Sequence, residues 1–223
     1  MENIVVRAEL VAPVIVQGWL TLDALLASQL FERTGDVERA HADIPLACRH
    51  GLWSGSAALF EDAKPVQVQL VAGLRAQHDL DPALIGRGRG GVIQAIGSKR
   101  RREFGNILSQ YPARQVRAVW WFGQGSPDAV RSLLDDVKFV GKKHAQGFGE
   151  VAHIDVDVAK CDGVEDGVGY PLRPVPVALW QGKKDAVRDA ETWRPAYFDL
   201  SGRALCVVPE SVDRTVGELE ALL

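Results

Sequence analysis

The stretch VGKKHAQGFGEV, from Val140 to Val151, decides how the fold of this chain is interpreted. It follows an amphipathic run, Asp128 to Val137, and precedes an alternating run of apolar residues that ends at Val158. These periodicities predict a helix, a glycine-rich loop and a strand in succession. Glycine permits positive φ and close backbone approach, and lysines beside bare amide groups attract anions. The stretch therefore indicates an anion-binding loop, with a solvated glycine turn as the alternative.

Composition limits the class of protein. With 223 residues, 47% of them hydrophobic, the chain can form one large domain or two small ones around a real core. No apolar run reaches the ~18 residues of a membrane span, and the N-terminus lacks the layout of a signal peptide. Three scattered cysteines, Cys48, Cys161 and Cys206, suit a reducing compartment better than a disulfide framework. We therefore expect a cytoplasmic protein that makes no contact with a membrane.

Charge is concentrated in one segment. The formal net charge is −3, yet between Gly86 and Arg117 eight lysines and arginines stand against one acid, Glu103. The acids lie elsewhere, notably from Asp155 to Asp166 and from Glu210 to Glu220. Like charges this close repel one another unless a polyanion neutralises them. The pattern predicts a local arm that binds nucleic acid, with an ordinary solvated charge run as the alternative.

Local patterns predict an α+β fold. Strand-like and helix-like segments follow in the order strand, helix, strand, strand, helix, strand, which is the split βαβ or ferredoxin-like order, βαββαβ. The predicted strands are Ile4–Leu10, Leu52–Phe60, Gln115–Phe122 and Glu150–Val158, and the predicted helices are Leu22–Glu32 and Pro127–Val137. We expect a four-stranded antiparallel sheet with both helices on one face.

The remaining segments complete the domain plan. Residues 1–158 form the ferredoxin-like domain, in which Val66–Val71 pairs with the second strand and about residues 73–112 form a basic, thumb-like insertion. Residues 159–223 form an irregular C-terminal extension that packs on this domain, because Tyr170–Pro176 holds three prolines and cannot be a central strand. A further strand at Ala204–Val208 and a closing helix at Ser211–Leu222 are expected there.

Four short motifs carry a resemblance to a known family. Gly141–Val151, GKKHAQGFGEV, is similar to the glycine-rich loop of the RAMP superfamily of CRISPR-associated RNA-binding proteins. Leu20–Ala27, LTLDALLA, resembles the opening-helix signature of that superfamily. Ser54–Ala58 and Pro171–Pro176, PLRPVP, resemble the small RAMP subunit of type IV CRISPR effectors. The resemblance covers about residues 4 to 180.

The resemblance implies a non-enzymatic, RNA-binding subunit of a ribonucleoprotein that acts in antiviral defence. Such a subunit holds the repeat-derived 5′ handle of the CRISPR guide RNA and contacts a backbone RAMP subunit and a large or zinc-containing subunit. It lies close to the motif that flanks the target, so target DNA is a further candidate partner. An inserted thumb reaches between neighbours, and the basic segment Gly86–Arg102 stands where that thumb would be. No metal, cofactor or catalytic residue is expected.

The candidate RNA-binding residues form two groups and one isolated position. In the loop, lysines would neutralise phosphates, a histidine and a glutamine would bond to a sugar or base, and a phenylalanine would stack or anchor the loop. The loop residues are Gly141, Lys142, Lys143, His144, Gln146, Gly147, Phe148 and Gly149. The insertion residues are Arg87, Arg89, Lys99, Arg100, Arg101 and Arg102. Arg173, on a stiff segment between prolines, would contact RNA or a neighbouring subunit, or form a surface salt bridge.

Enzymatic alternatives remain open. A related branch of the superfamily cleaves precursor CRISPR RNA by metal-independent acid–base chemistry, often with a histidine, and His50 and His144 are candidates in such an endoribonuclease. A small-molecule enzyme on the same fold would need a convergent acid–base set, which the sequence does not supply. Gly86, Gly88 and Gly91 satisfy the dinucleotide-binding spacing, but the hydrophobic strand that this motif requires does not precede them.

Overall fold

The computed structural model describes residues 1–72, 81–104 and 107–223. This part of the chain forms two units, one of Met1–Pro65 with Ala113–Leu223 and one of Val66–Pro112. Strands predominate and five helices accompany them, in agreement with the predicted mixture of α and β structure. The helices are α1 (Leu22–Thr34), α2 (Val37–Ala42), α3 (Arg101–Phe104), α4 (Pro127–Leu134) and α5 (Val216–Glu220). The strands are β1 (Glu2–Leu10), β2 (Cys48–Arg49), β3 (Leu52–Trp53), β4 (Leu59–Glu61), β5 (Lys64–Ala72), β6 (Ile85–Arg87), β7 (Ile93–Ile96), β8 (Lys99–Arg100), β9 (Ile107–Gln115), β10 (Ala118–Gly125), β11 (Val151–Val158), β12 (Val175–Pro176), β13 (Arg188–Thr192), β14 (Arg203–Val207) and β15 (Asp213–Arg214).

The larger unit is built on a five-stranded sheet in the order β11-β1-β10-β4-β15. β1 pairs antiparallel with β10 and β11, and β10 pairs antiparallel with β4. β15 pairs parallel with β4 at the far edge of the sheet. Each of the four strands predicted from the sequence therefore contributes to this sheet, although their bounds differ from the prediction.

Alternation along the central strands divides their side chains between the two faces of the sheet. Ile4, Val6 and Trp121 pack with apolar residues of α1 and α4 in one buried cluster. Trp120 and Phe122 belong to a second cluster on the opposite face. Both helices thus cover one face, and the two adjacent tryptophans point to opposite sides, as the sequence predicts.

The first helix begins and ends at signals that are visible in the sequence. The Thr21 side chain caps the first turn by accepting a hydrogen bond from the Ala24 amide, 3.4 Å away. Gly35 ends α1 in the left-handed conformation at a φ of 67°, and its amide donates to the Phe31 carbonyl at 2.7 Å. The helix reaches Thr34, slightly beyond the predicted end.

Two strand predictions need correction. The strand predicted at Leu52–Phe60 is instead two short strands, β3 and β4. The residues between them bond to β10, where the Ser56 amide donates to the Phe122 carbonyl at 2.7 Å, so they do not continue either strand. Val66–Val71 lies within β5, which pairs with β9 and not with the second predicted strand.

Helix bounds differ from prediction at two further places. The helix α2 was not predicted; it forms because the Asp36 side chain accepts hydrogen bonds from the amides of Glu38 and Arg39 and so starts a helix. The helix α4 stops at Leu134 rather than at Val137. A tighter turn follows the helix, in which the Val137 amide donates to the Leu134 carbonyl, three residues earlier, at 3.0 Å.

The C-terminal residues are more regular than predicted. β12, β14 and β13 form a three-stranded antiparallel sheet. β15 joins the edge of the central sheet, where Arg114 Nε donates a hydrogen bond to Oδ1 of Asp213 in β15 at 2.7 Å. The predicted closing helix is the short α5, which starts with a capping box between Thr215 and Glu218. Residues 159–223 therefore belong to the same unit as the central sheet.

The smaller unit begins at Val66, earlier than the insertion predicted at residues 73–112. It contains a ribbon in which β5 pairs with β9, and a three-stranded sheet in the order β6-β7-β8. A two-residue turn with Gly97 at a φ of 56° joins β7 to β8. Residues 73–80 of the predicted insertion lie outside the described residues, as do residues 105 and 106.

Candidate nucleic-acid interface

The glycine-rich loop is anchored to the segment that follows β1. The Lys142 amide donates to the Ile15 carbonyl at 2.8 Å, and the Gly149 amide donates to the Pro13 carbonyl at 2.9 Å. Gly141 lies so close to this segment that a Cβ atom on it would be 2.5 Å from the Ile15 oxygen. The loop is therefore bonded into the fold at both ends.

Packing requires two of the three glycines in the loop. Gly141 and Gly149 have φ values of 85° and 69°, and a Cβ atom on Gly149 would lie 1.9 Å from the Val140 oxygen. Gly147 also has a positive φ, 81°, but a Cβ atom there would meet nothing within 4 Å. Gly147 is therefore needed only for the left-handed backbone conformation, at a point where the loop surface is open.

Most main-chain donors of the loop are already used, which corrects the expectation of bare amide groups. The amides of Gln146 and Phe148 both donate to the Lys143 carbonyl, at 3.0 and 3.4 Å. The Gly147 amide donates to the His144 carbonyl at 2.8 Å. With the two amides that donate to the segment after β1, five loop amides have carbonyl acceptors. An anion at this loop would therefore be bound mainly by side chains.

Polar side chains of the loop lie at one bend. Lys142 is exposed, and its ammonium group donates to the Gln17 side chain at 2.7 Å. Lys143 is half-buried and takes the left-handed conformation at a φ of 66°. Gln146 is exposed, whereas Phe148 is half-buried. The structure thus gathers the predicted polar residues of the loop, while Phe148 is partly withdrawn from solvent.

His144 holds a fixed position at the start of a short 3-10 turn. Its ring stacks on Phe139, with 5.3 Å between ring centroids and 15° between ring planes. The Nε2 atom lies 2.8 Å from the Gly141 oxygen, so Nε2–H donates to that carbonyl. An exposed aromatic ring held by both a stacking contact and a hydrogen bond is a pre-organised flat surface.

A cleft of about 590 Å³ separates this ring from the first helix. One wall is the outer surface of α1 and the other is the segment from the end of α4 to the glycine-rich loop. The lining residues are Leu20, Ala24, Leu25, Ser28, Gln29, Glu32, Asp136, Val137, Lys138, Phe139, Val140, Gly141 and His144. The cleft therefore combines apolar, hydrogen-bonding, acidic and basic groups beside the loop.

The basic residues of the smaller unit lie on β6, on β8, on the turn after β6 and on α3. All six are exposed: Arg87, Arg89, Lys99, Arg100, Arg101 and Arg102. Within the described ranges none of the six forms a salt bridge. Arg87 Nη1 donates to the Gly91 carbonyl at 2.9 Å, which bends this side chain back over its own turn. We call these six residues the basic arm.

The glycines among the basic residues shape the turn between β6 and β7. Gly90 and Gly91 have φ values of 74° and 75°. A Cβ atom on Gly88 would lie 2.5 Å from the Gln94 side chain, so that glycine permits a close approach. β7 follows this turn, whereas a dinucleotide-binding motif leads into a helix. The arrangement agrees with the rejection of a dinucleotide site.

Arg173 is buried, so its assignment as an RNA-contacting residue or a surface salt bridge is wrong. Its side chain is 0% exposed, and Nη1 lies 3.0 Å from Oδ1 of Asp23, which is also 0% exposed. The same nitrogen donates to the carbonyls of Trp53 and Gly55, and Nη2 donates to the Trp193 carbonyl at 2.8 Å. The guanidinium joins the start of α1, the segment after β3 and the C-terminal residues, and it is not available to RNA.

Tyr197 completes this buried network, which sequence reasoning missed. Its hydroxyl donates to Asp23 and accepts hydrogen bonds from Arg173 Nη2 at 2.9 Å and from Thr21 at 3.0 Å. Burial raises the pKa of Tyr197 well above its usual range. Burial, the largest single influence, would lower the pKa of Arg173, but the combined charge and hydrogen-bond interactions with Asp23 and Tyr197 outweigh it and raise that pKa. One feature of the sequence could have indicated this network: Asp23 lies inside the apolar run LTLDALLA. A charge that is buried with such a run requires a partner.

The face of the sheet opposite the helices carries balanced charges. Arg7 Nη1 lies 2.7 Å from Glu9 Oε1, and the Arg7 guanidinium carbon lies 5.3 Å from the Trp120 ring centroid. The hydrogen bond from Arg7 lowers the pKa of Glu9. Trp120 is 8% exposed, and its Nε1–H donates to Glu61 Oε2 at 2.8 Å. At Arg7 and Trp120 this face therefore offers neither an unpaired positive charge nor an open ring on which a base could stack.

A separate cleft of about 790 Å³ lies among the C-terminal residues and has an acidic rim. Asp166, Asp185, Glu210 and Glu218 line it together with Arg214. Its other lining residues include apolar side chains of the segments between the C-terminal strands and of the residues after α5, among them Leu172, Val187, Val208 and Leu222. Because carboxylates repel phosphates, the acidic rim disfavours a nucleic-acid backbone in this cleft.

The described residues contain no metal site, and comparison with family models and curated proteins found no match. Among residues 1–72, 81–104 and 107–223, no three His, Cys, Asp or Glu side chains come together as a metal site. The helices in those ranges are too short or too polar to cross a membrane. No family model matches the chain, and no curated protein matches it. The features that bear on function are therefore the loop, the clefts and the basic arm.

Proposed function

We propose that this chain is an RNA-binding subunit of a CRISPR effector ribonucleoprotein, built on a ferredoxin-like domain of the RAMP type. In a split βαβ motif the last strand lies beside the first, and the third lies between the first and the second. The neighbours β11-β1-β10-β4 follow this arrangement, and α1 and α4 pack on one face of them. This order supports the fold that the sequence resemblance implies.

The observation that carries the proposal is the basic arm. Its six lysines and arginines are exposed and form no salt bridge within the described residues. Mutual repulsion among such charges destabilises the free protein, and a bound phosphate backbone relieves it. In a chain whose formal net charge is −3, this local excess favours a polyanionic partner for the arm.

The glycine-rich loop supplies the second group of cations in the proposal. Lys142 is exposed, and the fixed ring of His144 lies on the same loop. Side chains of this kind contact phosphates, sugars and unstacked bases of single-stranded RNA. We assign to this loop and the basic arm the repeat-derived 5′ handle of the guide RNA, with target DNA near the flanking motif as a further ligand of the arm.

Protein partners in the proposal are a backbone RAMP subunit and a large or zinc-containing subunit of the same cytoplasmic complex. Two features of the larger unit support protein contacts. The acidic C-terminal cleft repels RNA, and Phe198 and Leu200 are 82% and 71% exposed. Phe198 also lines an apolar groove together with Phe31 and Val37, and contiguous exposed apolar surface is typical of faces that other proteins cover.

The alternative function is a metal-independent endoribonuclease that processes precursor CRISPR RNA. It would require a histidine that exchanges a proton with the RNA and a second acid–base group close to it. The contacts of His144 are with the Phe139 ring and the Gly141 carbonyl, which hold the ring in place. These contacts favour a binding role for His144 over proton transfer.

The proposal is tested by incubating the purified full chain with a labelled CRISPR-repeat RNA in EDTA. Binding without cleavage supports a structural subunit, specific cleavage supports the endoribonuclease, and the absence of both contradicts each reading. The K142E/K143E variant should lose most of the affinity. The matched control K160E/K184E reverses two exposed lysines elsewhere on the larger unit and should bind as the unaltered protein does.

A further inference from the structure

We infer that the cleft between α1 and the glycine-rich loop is a pocket for one unstacked nucleobase, which stacks on His144 and is recognised through Glu32 and Gln29. This inference rests on the proposed RNA-binding function and adds a preference among bases to it. The cleft volume of about 590 Å³ falls within the range of about 300 to 1,000 Å³ that is typical of small-ligand sites.

The His144 ring provides the stacking surface. Its position is set by the stacking contact with Phe139 and by the hydrogen bond from Nε2 to the Gly141 oxygen. A ring that is already ordered loses little entropy when a base stacks on it. Stacking of bases on aromatic side chains is the common way in which proteins hold single-stranded RNA.

Charge determines which part of a nucleotide enters the cleft. Glu32 and Asp136 both line it, so a phosphate group inside would be repelled. Asp136 Oδ2 lies 3.7 Å from Arg33 Nη2, whereas Glu32 forms no salt bridge with any described residue. Lys138 lies on the loop side of the cleft, and Lys142 lies in the loop beyond it. The geometry therefore favours a base in the cleft and its phosphates at the lysines.

Hydrogen-bonding groups on α1 determine which base is preferred. Ser28 Oγ donates to the Leu25 carbonyl at 2.7 Å, so its proton is used within the helix. Gln29 and Glu32 remain as the polar side chains that face the cleft from this helix. A carboxylate only accepts hydrogen bonds, and guanine presents two adjacent N–H donors on its Watson–Crick edge. Guanine should therefore bind best.

The test uses the full chain and four fluorescein-labelled RNAs of ten nucleotides. One is all uridine, and the others carry a single central guanine, adenine or abasic site. We expect the guanine RNA to bind about tenfold more tightly than all-uridine RNA, because paired hydrogen bonds to one base edge discriminate by about that factor. The affinity for the adenine RNA should lie between the affinities for the guanine and all-uridine RNAs. The abasic RNA should bind no better than all-uridine RNA.

Variants separate the roles of the two side chains. E32Q should abolish the preference for guanine, and E38Q, which removes an exposed acid from α2, should keep the preference. H144A should weaken binding of the guanine RNA about tenfold. H144F, which keeps a stacking ring, should bind the guanine RNA as the unaltered protein does. Thermal unfolding of each variant checks that the fold is retained.

Three outcomes would overturn the inference, and they differ in what they say of the proposed function. If all four RNAs bind equally and K142E/K143E removes that binding, RNA binding stands and the base pocket is wrong. If the preference for guanine survives in E32Q, recognition lies outside this cleft and the pocket is again wrong. If none of the RNAs binds, both the pocket and the proposed function fail.

Discussion

Nη1 of Arg173 lies 3.0 Å from Oδ1 of Asp23, and both side chains are 0% exposed. This pair joins the start of α1 to the C-terminal residues, which also supply Trp193 and Tyr197 as partners of the guanidinium. A buried ion pair of this kind strongly penalises the loss of one member, because the remaining charge is left without a partner in a dry environment.

We therefore predict that R173M lowers the free energy of unfolding by about 3–5 kcal/mol. The control R188M removes an exposed arginine from β13 and should change stability by less than about 0.5 kcal/mol. Urea unfolding followed by tryptophan fluorescence gives both values. Limited proteolysis of R173M should cut first within residues 159–223, and equal stability of R173M and the unaltered chain would show that the pair is not structural.

The same network predicts a loss of stability in alkaline solution. Burial raises the pKa of Tyr197, so the folded state keeps the phenolic proton while an unfolded tyrosine releases it near about pH 10. This contribution is fully present below that pH and is lost as the pH rises, by about 1.4 kcal/mol between pH 8 and pH 11.

The comparison with Y197F isolates this effect, because burial also raises the pKa of Cys161 to about 12 and that of Cys206 to about 11. Y197F should be less stable at pH 8, since it loses the hydrogen bonds to Asp23 and Thr21, but should lose less stability between pH 8 and pH 11. Parallel pH profiles for the two proteins would contradict the assignment.

Two glycines of the loop should differ sharply in their tolerance of alanine. Gly147 has a φ of 81° and open space around it, so G147A should cost about 1–2 kcal/mol for the left-handed conformation alone. Gly149 also has a positive φ, and an added Cβ atom would lie 1.9 Å from the Val140 oxygen, so G149A should cost more than about 3 kcal/mol. Urea unfolding measures both, and equal costs would show that the loop is not held against Val140.

Local features of the fold could be predicted from the sequence, because the residues that determine them are close together. Thr21 and Gly35 delimit α1, and the adjacent Trp120 and Trp121 alternate across a strand. The partners of Arg173 could not be predicted in the same way. Asp23 is 150 residues away from it in the chain, and no local pattern encodes that distance.

The glycine-rich loop shows the same limit. Its position and its side chains follow from the stretch Val140 to Val151, and the structure places Lys142 and His144 at its surface. The acceptors of two of its amides are Pro13 and Ile15, which the loop sequence cannot indicate. For this reason, and because three further amides donate to carbonyls within the loop, the expectation of bare amides was wrong, although the predicted loop itself was found.

The most direct test of RNA binding by the basic arm is the salt dependence of affinity for a labelled single-stranded repeat RNA. The variant R100E/R101E/R102E reverses three arm charges, and R39E/R49E/R188E reverses three exposed arginines on the larger unit with the same change in net charge. If the three arm residues each contact a phosphate, the slope of log affinity against log salt should become shallower by about 2 in the arm variant. The control should keep the slope of the unaltered protein. Equal slopes in all three proteins would contradict RNA binding by the arm.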